Sequence, residues 1–124
     1  MPQVTRVPYI DHIVRVARAA DDYVIQGSVL EPHQVLVIET VAASNAGTAL
    51  KNLQFGSRVN GVDIWWGTIT GKAKDTYEIW TGPITILSEY RLIFKVVDPS
   101  IGDVTTINVN GYFTHQSTVP PELP

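Results

Sequence analysis

The dipeptide Asn60-Gly61 separates two strand-like runs, NLQFGSRV (52–59) and VDIWWGTI (62–69), and constrains the chain more than any other feature. An Asn-Gly connection accepts left-handed backbone at both positions, and the resulting turn matches the right-handed twist of paired strands. The segment is therefore predicted to be a tight hairpin. A two-residue turn also sets the register: Val59 opposite Val62, Arg58 opposite Asp63, Ser57 opposite Ile64, Gly56 opposite Trp65 and Phe55 opposite Trp66. Opposed residues share a face. One face then carries Leu53, Phe55, Ser57, Val59, Val62, Ile64 and Trp66, almost all apolar, and is expected in a core. The other carries Gln54, Gly56, Arg58, Asp63, Trp65 and Gly67, with Arg58 and Asp63 forming a cross-strand ion pair.

The same grammar recurs along the chain. Val, Ile and Thr are abundant, with nine glycines and eight prolines as punctuation. DYVIQGSVL (22–30) reads as a strand interrupted by Gly27, and Glu31-Pro32 leads into the alternating run from Val35. SNAG (44–47) and TGKAKD (70–75) read as loops. TYEIW (76–80) and PITIL (83–87) read as two short strands parted by Thr81-Gly82-Pro83. RLIFKVVD (91–98) is nearly continuous in apolar residues and suits a central strand; VTTINVNGYFTH (104–115) closes the series. Tyr9–Ala20 fits both a helical stripe and a strand, with the Ile-Val-Arg-Val core favouring strand. About eight short strands at near ten-residue spacing predict an all-β antiparallel sandwich, jelly-roll-like, spanning residues 9–115. Residues 1–8 and the Pro-rich 116–124 are expected to be extended arms.

Composition excludes several kinds of chemistry. With 124 residues the chain is expected to form one domain large enough for a core. It has no cysteine, hence no disulfide, thiolate metal site or cysteine nucleophile. A net charge of −3 argues against a phosphate-binding surface, so no nucleic-acid partner is expected. No apolar run approaches the roughly 18 residues of a membrane span, and the N-terminal segment lacks the apolar stretch of a secretory signal. His12, His33 and His115 lie on separate segments; Asp98 and Asp103 read as turn residues, with a cation-binding loop the less favoured account. Ser57 and Ser88 lack a nucleophile-elbow setting. No catalytic residue, metal or cofactor is expected, and the chain does not read as an enzyme.

What remains are contact candidates. Trp66 belongs to the core face. Trp65 fits two roles: a ring lying across Gly56 that stabilises the strand pair, or a contact with another subunit or a ligand. Trp80 shares a face with Thr76 and Glu78 and is a second candidate contact. Val7 and Pro8 in the first arm, and Val119, Pro120 and Pro121 in the last, are candidates for docking onto a neighbour.

Four features occur in order between Val29 and Phe113: VLEPHQVLVIETVAASN, the hairpin LQFGSRVNGVDIW, TGPITILSEYRLIFKV, and the closing strand TTINVNGYF. In this order, over about two-thirds of the chain, the sequence resembles small β-sandwich virion proteins of tailed bacteriophages. The resemblance implies a head-decoration (cement) protein, or a fibre, neck or tail-tip component, often a homotrimer. It would be assembled in the host cytoplasm, reside in the virion, and bind major capsid or other virion proteins and its own copies. The alternative is a carbohydrate-binding or receptor-binding module, with Trp65, Trp80 and Tyr77 stacking on sugar rings beside Arg58, Asp63 and Glu78.

Overall fold

A computed structural model describes residues 4–48, 50–71 and 73–116, with side chains described from Arg6 to Thr114. These residues form eight strands: β1 Val4–Val16, β2 Tyr23–Val29, β3 Gln34–Ala46, β4 Asn52–Val59, β5 Val62–Ile69, β6 Glu78–Ile86, β7 Arg91–Val97 and β8 Val104–Gln116. They build two antiparallel four-stranded sheets, ordered β1-β8-β3-β6 and β2-β7-β4-β5. The chain is an antiparallel β-sandwich.

Its connectivity follows one rule. Each strand pairs with its counterpart counted from the other end: β1 with β8, β2 with β7, β3 with β6, and β4 with β5. The fold is thus one long hairpin, with the β4–β5 turn at its tip, wound so that successive segments alternate between sheets. Contacts β3–β8 and β4–β7 close each sheet. At the tip, Asn60 and Gly61 have φ of 51° and 75°, the double left-handed geometry expected of Asn-Gly.

The core lies between the sheets. β3 contributes Leu36, Ile38, Val41 and Ala43; β4 contributes Leu53 and Phe55; β7 contributes Leu92, Phe94 and Val96; β8 contributes Ile107 and Val109. β7 is central, and its apolar run is buried on both faces, since Ile93 is also fully buried. One end of the core is polar. There Thr105 donates to Asn45 at 2.7 Å, and the Asn45 amide donates to the Thr48 carbonyl at 3.2 Å.

Several expectations need correction. Tyr9–Val16 is strand, but it continues back to Val4, so residues 4–8 are the first part of β1 and pair with 112–116 rather than forming an arm. The prolines at 2 and 8 masked this; Pro8 is tolerated because β1 is an edge strand, where a missing N–H breaks no ladder. For the same reason Pro83 does not divide the 76–87 region: β6 is a single edge strand running through Thr81-Gly82-Pro83. β3 continues through Ser44 and Asn45, where SNAG had suggested a loop. Residues 117–124, with the expected contacts Val119, Pro120 and Pro121, lie outside the described residues.

Each sheet also contains a bulge set against a glycine. In β5 the pairs run Gly56↔Trp65 and then Phe55↔Gly67, leaving Trp66 unpaired. In β3 they run Ile38↔Gly111 and then Thr40↔Asn110, leaving Glu39 unpaired. A Cβ on Gly56 would stand 1.9 Å from the Ile64 carbonyl oxygen, and one on Gly111 would stand 2.0 Å from that of Val37. Absence of a side chain lets the bulged strand press against its neighbour, which is why a lone strand glycine marks such places.

Candidate functional site

The two tryptophans face the sides that alternation gives them, and the β5 bulge changes the pairing beyond Trp65. The first four predicted pairs are present, but Phe55 faces Gly67 instead of Trp66. Trp66, the unpaired residue, is half-buried and packs against the core. The core face is incomplete beyond it: Val62 and Ile64 are exposed, because β5 is an edge strand that reaches past the cover of the opposite sheet. The Phe55 ring fills the space that a Gly67 side chain would need.

Trp65 faces outward and is half-buried. Across the outer face of its sheet, the row reads Trp65, Gly56, Ile93, Gln26. Ile93 is fully buried although it points away from the sandwich core. With only a glycine between them, the Trp65 indole is the large apolar group in that row able to cover it. The expected Arg58–Asp63 pair forms beside it, with Arg58 Nη2 donating to Asp63 Oδ2 at 3.0 Å and Nε to Oδ1 at 2.5 Å. The hydrogen bond from Arg58 holds the Asp63 carboxyl below its ordinary range. Lys95 approaches Asp22 at 3.8 Å, and Arg91 donates to Gln26 at 2.8 Å. This outer face is therefore charged and internally paired.

Trp80 does not face outward. It is half-buried on the inner side of β6 and packs edge-on against Phe55, with centroids 4.8 Å apart. The parity of TYEIW is as expected, but its Trp80 face points in, leaving Tyr77 and Ile79 exposed. Trp65 and Trp80 thus lie on opposite sides of a sheet and form no common aromatic platform. Val7 and Pro8, expected as arm contacts, are exposed residues of β1 paired with Phe113 and Tyr112.

The outer face of the other sheet contrasts with this paired surface. Its rows read Ile10, Asn110, Thr40, Thr81 and then His12, Asn108, Ala42, Ile79. Ile10 is 77% exposed, Ile79 67%, Val16 55% and Val14 44%. Among the described residues its full charges are Arg6, whose guanidinium sits 4.6 Å over the Tyr112 ring, and Glu39 at the bulge. His12 Nδ1 is hydrogen-bonded to Asn108 Oδ1. Sequence reasoning missed this face. The alternation of Ile10, His12, Val14 and Val16 could have shown it, once that segment was read as strand.

Between β1 and β2 the sheets diverge, leaving a cleft of about 600 Å³ lined by Tyr9, Asp11, Gln26, Glu31, Gln34 and Phe113 among others. Tyr9 stacks edge-on against Phe113 at 5.1 Å and donates to Asp11 Oδ2 at 3.2 Å. Burial, then the neighbouring Asp11 carboxylate, push the Tyr9 hydroxyl up to about 12, so it stays a neutral donor.

The turn residues have structural work. Asp103, buried at the polar end of the core, accepts from the Thr48 hydroxyl at 2.6 Å and the Ser100 N–H at 3.0 Å. Burial pushes its carboxyl up, but these bonds and others from Asn45 and Thr48 outweigh it and hold it below the usual range. Asp98 pairs with Lys51 at 3.0 Å. Ser88 donates to the Gln34 carbonyl at 2.6 Å, while Ser57 is buried with no hydrogen-bond partner. Among the described residues, no three His, Cys, Asp or Glu side chains gather where they could hold a metal ion.

Compared with known proteins, the chain matches no family model, no curated protein and no solved structure.

Proposed function

We propose that the chain is a non-enzymatic structural protein of a tailed-phage virion, a decoration or cement protein that binds and stabilises neighbouring capsid subunits. The observation that carries this reading is the strand order. Pairing of each strand with its counterpart from the other chain end, in sheets β1-β8-β3-β6 and β2-β7-β4-β5, supports the finer description of the sandwich as a jelly roll. Jelly rolls recur in viral capsid and lectin domains. Architecture alone does not assign function, so the surface must separate those two. Among the described residues, one whole sheet face carries only Arg6 and Glu39 as full charges and exposes large aliphatic side chains, as suits a protein whose task is to pack against other proteins. The ordered resemblance between Val29 and Phe113 points the same way. The test is location: virions purified from the source of this sequence should contain the protein, released by mild denaturant, at a copy number that follows the capsid lattice. Its absence from virions refutes the proposal.

The cleft between β1 and β2 favours a second reading, a sugar- or receptor-binding module. Tyr9 and Phe113 offer an apolar wall, and Asp11, Gln26, Glu31 and Gln34 offer polar partners at a size suited to a small ligand. A glycan array decides it. Binding lost on Tyr9→Ala would support this reading, and no binding across the array would remove it.

A further inference from the structure

The neutral outer face of sheet β1-β8-β3-β6 has a definite relief. Ile10, Val14 and Val16 form a ridge on β1, and Ile79 stands up on β6. Between them, the middle rows of β8 and β3 present short side chains, Asn108, Asn110, Thr40 and Ala42, with Tyr112 and Val37 in the row toward the Arg6 end. The face thus carries apolar groups along both of its edge strands. A two-fold rotation about an axis parallel to the strands sets β1 of one copy opposite β6 of the other, so the two apolar edges meet each other twice, residue i with j and j with i.

Its size is sufficient. Four strands at about 4.8 Å spacing span roughly 19 Å, and the eight or nine residues common to the strands extend about 28 Å. Each copy thus offers about 530 Å² in projection, and two copies about 1,060 Å², near the lower bound of roughly 1,000 Å² for a specific interface. Charge is no obstacle, since among the described residues the face carries one full positive and one full negative group.

Edge pairing, the other common route by which sandwiches associate, is blocked at all four edges. β1 contains Pro8 and β6 contains Pro83, while β2 is bulged between Gln26 and Val29 and β5 at Trp65-Trp66. Prolines and bulges are the devices that keep edge strands from adding a further strand. The opposite outer face is already occupied by its own ion pairs.

We infer that two copies of this chain pack face to face through the β1-β8-β3-β6 sheet, forming a two-fold dimer in which Ile10 and Val14 on β1 of one copy lie against the β6 strand, with Ile79, of the other. The inference deepens the proposed assembly role by naming a partner for this face. The test is sedimentation velocity of the whole chain at roughly 100 µM, above the micromolar range expected for an interface of this size. Wild type should sediment with the mass of two copies. Ile10→Lys and Ile79→Lys, each placing a charge on the exposed ridge, should weaken the dimer at least 30-fold without lowering the melting temperature. Thr68→Lys, on the other outer face, should leave it intact. A wild-type monomer or trimer overturns the inference, as does a dimer insensitive to both ridge substitutions. Virion location is read separately: a monomer present in virions refutes only the pairing, and a dimer absent from virions refutes only the structural role.

Discussion

Replacing Gly56 with alanine should damage this fold more than its small size suggests. The added Cβ would stand 1.9 Å from the Ile64 carbonyl oxygen, 2.8 Å from the Ile64 carbonyl carbon and 2.9 Å from the Trp65 Cα. All three are backbone atoms, so no side chain can rotate away. A carbon normally approaches such an oxygen no closer than about 3.3 Å, so β5 must retreat by roughly 1.4 Å at the bulge. Overpacking of this kind costs about 1–3 kcal/mol, and strand separation weakens one or two ladder hydrogen bonds at roughly 1 kcal/mol each. The expected loss is about 2–5 kcal/mol, a large part of the roughly 5–15 kcal/mol typical of a domain. In a chain of this length that lowers the melting temperature by roughly 10–20 °C. Gly61→Ala is the internal comparison: its φ is +75°, but no atom lies within 4 Å of the added Cβ, so only the left-handed conformation costs, about 1–2 kcal/mol. Urea or thermal denaturation reads both. If Gly56→Ala is within about 1 kcal/mol of wild type, or milder than Gly61→Ala, the bulge does not sit against Gly56 and the account of both tryptophans fails.

Other outcomes follow from single contacts. Trp65→Ala should destabilise the isolated protein by about 1.5–3 kcal/mol, and a double-mutant cycle with Ile93→Ala should show coupling above roughly 0.5 kcal/mol; simple additivity would mean the indole does not cover Ile93. Ser57→Ala should be neutral or stabilise by up to about 1 kcal/mol, because it removes a buried hydroxyl without a partner; a clear loss in urea denaturation would reveal an overlooked hydrogen bond. Asp63 and Asp103 have carboxyls held below their ordinary range, so the stability they contribute is present above about pH 4 and disappears as pH falls through their lower folded values. Asp103→Asn should therefore reduce the drop in melting temperature between pH 7 and pH 3; an unchanged drop would show that Asp103 has no part in it.

Local chemistry made much of this protein legible without coordinates. The Asn60-Gly61 turn, the four pairs nearest it, the Arg58–Asp63 bridge and the central position of β7 follow from residue preference and two-residue alternation, which act over a few neighbours. The all-β class follows from the spacing of turn signals. Three things were settled only in the tertiary structure. Pro8 and Pro83 read as breaks because proline lacks an N–H, yet both lie in edge strands, and edge position is a property of the sheet rather than of the segment. Alternation cannot say which side of a strand faces a second sheet, so the face shared by Trp80 and Glu78 was correctly separated from that of Ile79, but Trp80, read as a candidate contact, packs inward on Phe55. A bulge shifts alternation by one residue, and its only local trace was a lone glycine on the partner strand. Trp65 and Trp66 are adjacent in sequence and differ by a single residue of register. Alternation placed Trp66 on the core face and Trp65 on the outer face; the bulge against Gly56, on a different strand, leaves Trp66 without a partner and sets Gly67 opposite Phe55.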